Sequence, residues 1–369
     1  MQGRWIGSAL SAIALMALAA GLAGCGPDRR LAEAPVAVVL HEDGHTTRMS
    51  AVDLSSMKVL SSHKLRSQCF SMDGDIASRV VITAQTGGIG PDADDAAGVW
   101  DLAQDQVHYV TLPYPNPSSV VVARDTGYVL HGFQLGDSLV LSTVRLTGGN
   151  RIATGTVSEW AQDPESVAGG VYVPVSASRN AKDGYTASSG SIEYLTGSLT
   201  ESRVVEIARR AMRIVADPLD SKNLILLGSV GDPEPGSPGK WRITRIDRAT
   251  GRILEDQPLV LEYGVMSVCA VGDALAIADA NGLDMEDPGG SVLILDGKTL
   301  GERRRVQVQG MASAVAAWGE RLLVFDGVKG DLALFATGSG QLIQKLQLTG
   351  GGGGTGDIVV FDATRAERE

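Results

Sequence analysis

One pattern recurs seven times along this 369-residue chain. An apolar run ends in Asp or a small turn residue, a short turn with Thr-Gly, Ser or Gly follows, and a second extended stretch comes after. The instances are AVDLSSMKVL (51–60), VWDLAQDQVHYV (99–110), VRLTGGNRI (144–152), EYLTGSLTESRVV (193–205), RIDRATGRIL (245–254), LILDGKTLGERRRV (293–306) and LFATGSGQLIQKL (334–346). Their turn-opening residues are Asp53, Asp101, Leu146, Leu195, Asp247, Asp296 and Ala336, spaced 40 to 52 residues apart. Asp at a strand end accepts hydrogen bonds from backbone two residues on, and Gly supplies positive φ in the turn. A period near 47 residues built from strands and tight turns predicts an all-β, seven-bladed β-propeller with four-stranded blades. The repeated hairpin is the C–D pair of each blade.

Two further apolar runs precede the hairpin, such as Ser119–Ala123 and Gly127–Leu130, or Val265–Cys269 and Ala274–Ala278. The first repeat has room for only three strands, and the chain ends with a surplus run, Asp357–Phe361. That run is expected to supply the first blade's A strand and close the ring, which protects the sheet edges. Gly350 to Gly354 then forms a loose connector.

The N-terminus carries an export signal. Arg4 gives a positive start, residues 5–22 are nearly uncharged and apolar, and small residues follow. The tetrapeptide Leu22-Ala23-Gly24-Cys25 resembles the lipobox of bacterial lipoproteins. The resemblance implies cleavage before Cys25 and acylation (palmitate among the chains) of that cysteine. The implied division is a signal peptide at 1–24, a lipidated tether at 25–35 and the propeller at 36–369. The expected location is the cell membrane or outer membrane, on the extracytoplasmic side. Removing residues 1–24 takes one Arg and leaves 31 Lys and Arg against 43 Asp and Glu, a net charge of −12. Such a chain is not built to bind nucleic acid or anionic lipid by charge. Attachment therefore falls to the acyl chains on Cys25.

The repeats resemble the YVTN/quinoprotein-dehydrogenase-like propellers over residues 36–362. Trp100-Asp101 is the one Trp-Asp pair at a C-strand end, unlike a WD40 array. The Thr-Gly turns resemble the PQQ-type repeat without the cofactor-stacking Trp motifs of those enzymes. Cys69 and Cys269 are expected at equivalent A-strand places in blades 2 and 6, too far apart for a disulfide, and hence as two free buried thiols.

Motifs for chemistry are few. His41-Glu42-Asp43-Gly44-His45 matches H-E-x-x-H, but zinc chemistry needs both histidines on one helix face. Here Asp43-Gly44 marks an exposed turn, expected between A and B strands, and leaves His41 and His45 as weak metal candidates. His63, His108 and His131 are scattered singly and read as structural. Gly350–Gly356 fits G-x-G-x-x-G without a following helix. No catalytic residue is assigned and no enzyme activity is expected.

Acidic residues cluster in three expected loops: Asp92, Asp94 and Asp95; Asp232 and Glu234; and Asp279, Asp284, Glu286 and Asp287. They read as solvated loops, with calcium the alternative and no other cofactor expected. The long connections at 84–97, 177–190, 229–239 and 279–290 are assigned as B–C loops, on the same end of the ring as the D–A loops. Tyr114, Trp160 and Tyr263 precede A strands and belong to that end. The expected role is a binding or scaffold module for an unidentified protein partner, working through this acidic, aromatic face. A lactonase- or hydrolase-type propeller enzyme and a solute-binding lipoprotein are the alternatives.

Overall fold

The computed structural model describes residues 29–44, 46–86, 95–136, 138–147, 152–158, 161–167, 169–176, 190–195, 199, 202–207, 211–230, 240–280, 289–349 and 356–362. They form seven four-stranded antiparallel sheets, the blades of one propeller. The innermost A strands are β28 (Gly356–Phe361), β4 (Cys69–Asp75), β8 (Pro117–Ala123), β12 (Glu165–Val167), β16 (Arg213–Ala216), β20 (Val265–Val271) and β24 (Ala312–Trp318). Blade 1 joins the two ends of the chain. β28 pairs with β1 (Val36–Asp43), with Phe361 opposite Val36 and Gly356 opposite His41. The surplus C-terminal run is thus the missing A strand, as the repeat requires.

The middle strands are apolar on both faces because every blade is packed between two others. In β1, Val36, Val38 and Leu40 face Met72, Val81 and Trp100 of blade 2. Ala37 and Val39 on the opposite face meet Leu323 and Phe325 of blade 7. The D strands are the outer edge, and β27 (Leu342–Gln347) is almost wholly exposed. It carries Gln344, Lys345 and Gln347 beside its three aliphatic residues, and charge and polarity along an edge discourage pairing with another chain.

All seven turn-opening positions lie at C-strand ends or one residue beyond. Asp53, Asp101, Asp247 and Asp296 accept turn hydrogen bonds, from Ser55 N (2.9 Å), Gln104 N (3.1 Å), Thr250 N (2.7 Å) and Thr299 N (2.8 Å). Four residues after the opener the chain is left-handed in blades 1, 2, 4, 5, 6 and 7: Met57 (φ 50°), Asp105 (53°), Leu199 (56°), Gly251 (70°), Leu300 (53°) and Gly340 (69°). Only two of the six are glycine. Met57 and Leu300 bear the left-handed strain, of order 1 kcal/mol, because their side chains are buried.

A polar side chain on one A strand reaches the next. Asp357 accepts Met72 N–H at 2.9 Å, Ser71 accepts Val120 N–H at 3.0 Å, and Ser267 accepts Val315 N–H at 3.3 Å. The three occupy the same register position in blades 1, 2 and 6. Blade 7 has Ala314 there. Across that seam Ile358 N–H turns to its own Asp357 carboxylate, at 2.9 Å.

Three expectations need correction. The Asp43-Gly44 turn joins β1 to β2 (Thr46–Asp53), the B and C strands, because blade 1 takes its A strand from the C-terminus. Cys69 and Cys269 are not equivalent, since Cys69 opens β4 whereas Cys269 is the fifth residue of β20. Neither forms a disulfide among the described residues; Cys69 is buried, Cys269 only partly so. Asp279 is no loop residue and lies inside strand β21 (Ala274–Ala280), fully buried.

Burial, with Asp73 and Asp163 nearby, pushes the Asp357 carboxyl up to about 7. A raised acid pKa favours folding below the unfolded value near 4, and that contribution is lost as pH rises through about 7. Relative to wild type, Asp357→Asn should therefore gain melting temperature by several degrees between pH 5 and pH 8. Thermal unfolding at the two pH values measures this, and a constant difference would refute the assignment.

Candidate functional site

The B–C and D–A connections emerge on one end of the ring, and five B strands carry a buried polar residue at or near that end. In blade 2, Gln85 Oε1 accepts Ser67 N–H at 3.3 Å and the Ser67 hydroxyl at 3.1 Å. In blade 3, His131 Nδ1 donates to Pro115 O at 3.1 Å, and Nε2 accepts from Ser142 at 2.8 Å. The carbonyl only accepts, so it fixes the tautomer. In blade 6, Asp279 accepts N–H groups of Glu262 (2.8 Å), Tyr263 (2.9 Å) and Gly264 (3.1 Å), and Arg305 completes it at 3.0 Å. In blade 7, Asp326 accepts Met311, Val328 and Lys329 N–H, each at 3.1 Å. Each of these side chains ties down the D–A loop that enters its own blade.

The fifth is His41, 2% exposed. Ser50 donates to Ser62 at 2.9 Å, so His41 Nε2 donates to Ser50 at 2.8 Å and Nδ1 is left as an acceptor without a partner among the described residues. Burial holds its pKa down to about 4. A neutral, strand-borne histidine does not belong to a helical zinc motif, and His45 lies outside the described residues. Among the described residues no three His, Cys, Asp or Glu side chains are grouped to hold a metal ion.

Of the expected binding face, Asp92, Asp94, Trp160, Asp232, Glu234, Asp284, Glu286 and Asp287 lie outside the described residues, as does Cys25. Asp95 closes the B–C connection of blade 2, where its carbonyl accepts Leu112 N–H at 2.6 Å. Tyr263 brings its hydroxyl end against Gly289, where a Cβ would lie 2.1 Å from the hydroxyl. Tyr114 lies 5.7 Å from Phe133 and 6.2 Å from His131, centroid to centroid.

Phe133 was not anticipated. Strand β9 (Thr126–Leu135) runs four residues past its latch, His131, and continues as a hairpin into β10 (Ser138–Arg145). Phe133 is 37% and Leu135 54% exposed. Phe70, near the start of β4, is exposed at the same end. The signal available in the sequence was GYVLHGFQL, an apolar alternation too long for a six-residue strand.

The structure also brings together Ser61, His63, Trp100 and Asp105. His63 Nε2 lies 2.8 Å from Asp105 Oδ1 and 3.3 Å from Ser61 Oγ, and Ser61 donates to Asp105 at 2.8 Å. A nucleophilic relay uses both imidazole nitrogens, one toward the hydroxyl and one toward the carboxylate. Here a single nitrogen faces both. The cluster clamps the outer strand of blade 1 to the C–D turn of blade 2.

No protein-family model matches the chain, and no curated protein matches it. Solved structures do. A protein of unknown function from Desulfotomaculum acetoxidans aligns with a TM-score of 0.61 at 10% identity, over 88% of this chain and 98% of its own. Apo AztD from Citrobacter koseri aligns with a TM-score of 0.57 at 10% identity, over 89% and 99%. Hydrazine synthase of Kuenenia stuttgartiensis gives 0.55 at 15% identity, over 73% and 76%. Identities this low establish the propeller fold alone.

Asp279→Ala would leave three backbone donors without their acceptor and take from Arg305 its buried carboxylate partner. The expected loss is about 3–5 kcal/mol of stability, read as a fall in the urea midpoint. Ser313→Ala, at a buried position outside the latches, should cost about 1 kcal/mol or less.

Proposed function

We propose that this chain is a lipid-anchored, extracytoplasmic propeller of the YVTN-like kind, a binding or scaffold module for a protein partner rather than an enzyme. The observation that carries the reading is the aromatic ridge on the B–C end. Tyr114 stacks on Phe133, Leu135 stands beyond it, and Phe70 opens at the same end. An exposed apolar patch on a rigid scaffold favours protein contact. The polar groups that catalysis would need at this end, His131, Asp279 and Asp326, already hold the protein's own loops.

The fold also supports an orientation. Helix α1 (Arg29–Glu33) sits on the opposite end, with Leu31 buried in the seam between blades 1 and 2. Arg79, in an A–B turn, donates to Leu31 O and Ala34 O, both at 2.9 Å. Cys25 is four residues before Arg29, at most about 14 Å of extended chain. Acyl chains on Cys25 would hold the A–B/C–D end against the membrane and turn the aromatic end outward.

Cys25→Ala should move the protein from the membrane to the soluble extracytoplasmic fraction, or leave it uncleaved. Mass spectrometry of an unmodified wild-type Cys25 would overturn the anchor. A photo-crosslinking side chain at Phe133 should capture a discrete partner in intact cells, and one at Lys298, in a C–D turn, should not. Neutralising Asp94, Asp95, Glu286 and Asp287 with Asn and Gln should weaken that capture if the partner is basic. Capture from Lys298 alone would refute the assignment of the working face.

A further inference from the structure

A cavity of about 230 Å³ lies in the seam between blades 4 and 5. Blade 4 contributes Tyr172 from β13 (Gly170–Ser176), Tyr194 from β14 (Gly190–Leu195) and Arg203 from β15 (Ser202–Ile207). Blade 5 contributes Leu224 from β17 (Asn223–Val230), Ile246 from β18 (Lys240–Asp247), and Arg248 from the C–D turn after it. Ile192, Leu224 and Ile246 are buried and make an apolar lining. The two tyrosine rings lie 5.0 Å apart, tilted by 40°. Tyr194 has its place only because residue 170 is glycine, since a Cβ there would meet its ring at 2.4 Å.

The polar groups of this cavity are short of partners. Tyr172 is 7% exposed, yet its hydroxyl makes no hydrogen bond among the described residues. Arg248 has no carboxylate partner among them either. Arg203 uses one N–H on Ala249 O across the seam and has no acid partner there. Burial raises the Tyr172 phenol, while Arg248 and Arg203 pull it down, which places both cations within electrostatic reach of that hydroxyl. In a chain of net charge −11, two guanidiniums beside one buried phenol form a locally positive, donor-rich site. Guanidinium is the side chain suited to carboxylate, which it meets with paired N–H donors.

The volume limits the guest. An apolar cavity of about 150 Å³ admits a benzene ring, so this one has room for one ring and a small polar head. We infer that the seam between blades 4 and 5 binds a one-ring aromatic carboxylate, its carboxylate on Arg248, Arg203 and the Tyr172 hydroxyl and its ring between the tyrosines and the apolar lining. This site is on the C–D side of the ring and is separate from the aromatic ridge.

The test is calorimetric titration of the whole chain with phenylacetate. Acetate supplies the head without the ring, and benzyltrimethylammonium the ring with the opposite charge. Phenylacetate should bind at least tenfold more tightly than either. Arg248→Gln should weaken it at least tenfold and Tyr172→Phe severalfold, whereas Lys64→Gln, on the exposed outer strand of blade 1, should leave it unchanged. Thermal unfolding of each variant without ligand shows whether it is folded; if Arg248→Gln is not, Tyr172→Phe decides. No binding at millimolar phenylacetate, equal binding of the cation, or unchanged affinity in folded Arg248→Gln would overturn the inference.

Discussion

A ring of sheets must be closed by a chain that has two ends, and everything else in this structure depends on how that is done. Here the last strand, β28, lies beside the first, β1, and completes blade 1. Both faces of that blade are apolar. Val359 and Phe361 pack toward blade 2, and Ile358 and Val360 toward blade 7. Without β28 two hydrophobic seams lose their innermost layer together. Gly356 is matched to this place, because a Cβ there would meet Phe325 at 2.3 Å. The Ala314 gap at the closing seam is covered by Asp357, which serves Met72 of blade 2 and Ile358 of its own strand.

With the ring closed, its two ends differ in what their polar side chains do. On the C–D end, Asp residues cap turns and Arg residues pair across neighbouring turns, as Arg303 does with Asp273 (2.7 Å) and Asp296 (2.6 Å). These surface pairs contribute little individually, and they keep the turns uniform. On the B–C end the polar groups point inward as latches for the D–A loops. The latches leave the loop tips free to vary while the strand ends stay fixed, which is the arrangement a rigid scaffold needs to present a variable surface. The hairpin beyond His131 uses that freedom, carrying Phe133 and Leu135 outward from a fully buried base.

Blade 4 departs from the regularity. Its innermost strand, β12, has three residues, and an isolated bridge between Ala161 and Val175 extends it. β16 of blade 5 has four. The cavity with Tyr172, Tyr194 and Arg248 falls between these two short-stranded blades. Repeat proteins bury a continuous core only where neighbouring units match, and large aromatic rings tilted against one another fill such a seam less evenly than aliphatic residues do.

The seven hairpins, their period and the closing strand were legible in the sequence. Each depends on local chemistry, with Asp and Gly at turns and alternating apolar runs between them, and the period counts strands directly. The ends on which the loops emerge followed from strand count as well, except at Asp43-Gly44, where the A strand comes from the far end of the chain. The site was less legible. Tyr114 and Tyr263 could be assigned to the D–A loops, but Phe133 and the Ser61–His63–Asp105 cluster could not, since Phe133 meets Tyr114, 19 residues away, only where a loop is held against its blade, and Ser61 meets Asp105, 44 residues away, only across two blades. Asp279 looked like one acid in an acidic loop because the sequence shows charge and not burial. The amino-acid order by itself determined how many blades form and where each chain reversal falls. Only the packing of one blade on the next decided which polar residues are buried as latches, which aromatic residues reach solvent, and which seam is left with a cavity, because those outcomes turn on side-chain fit between residues that no local pattern relates.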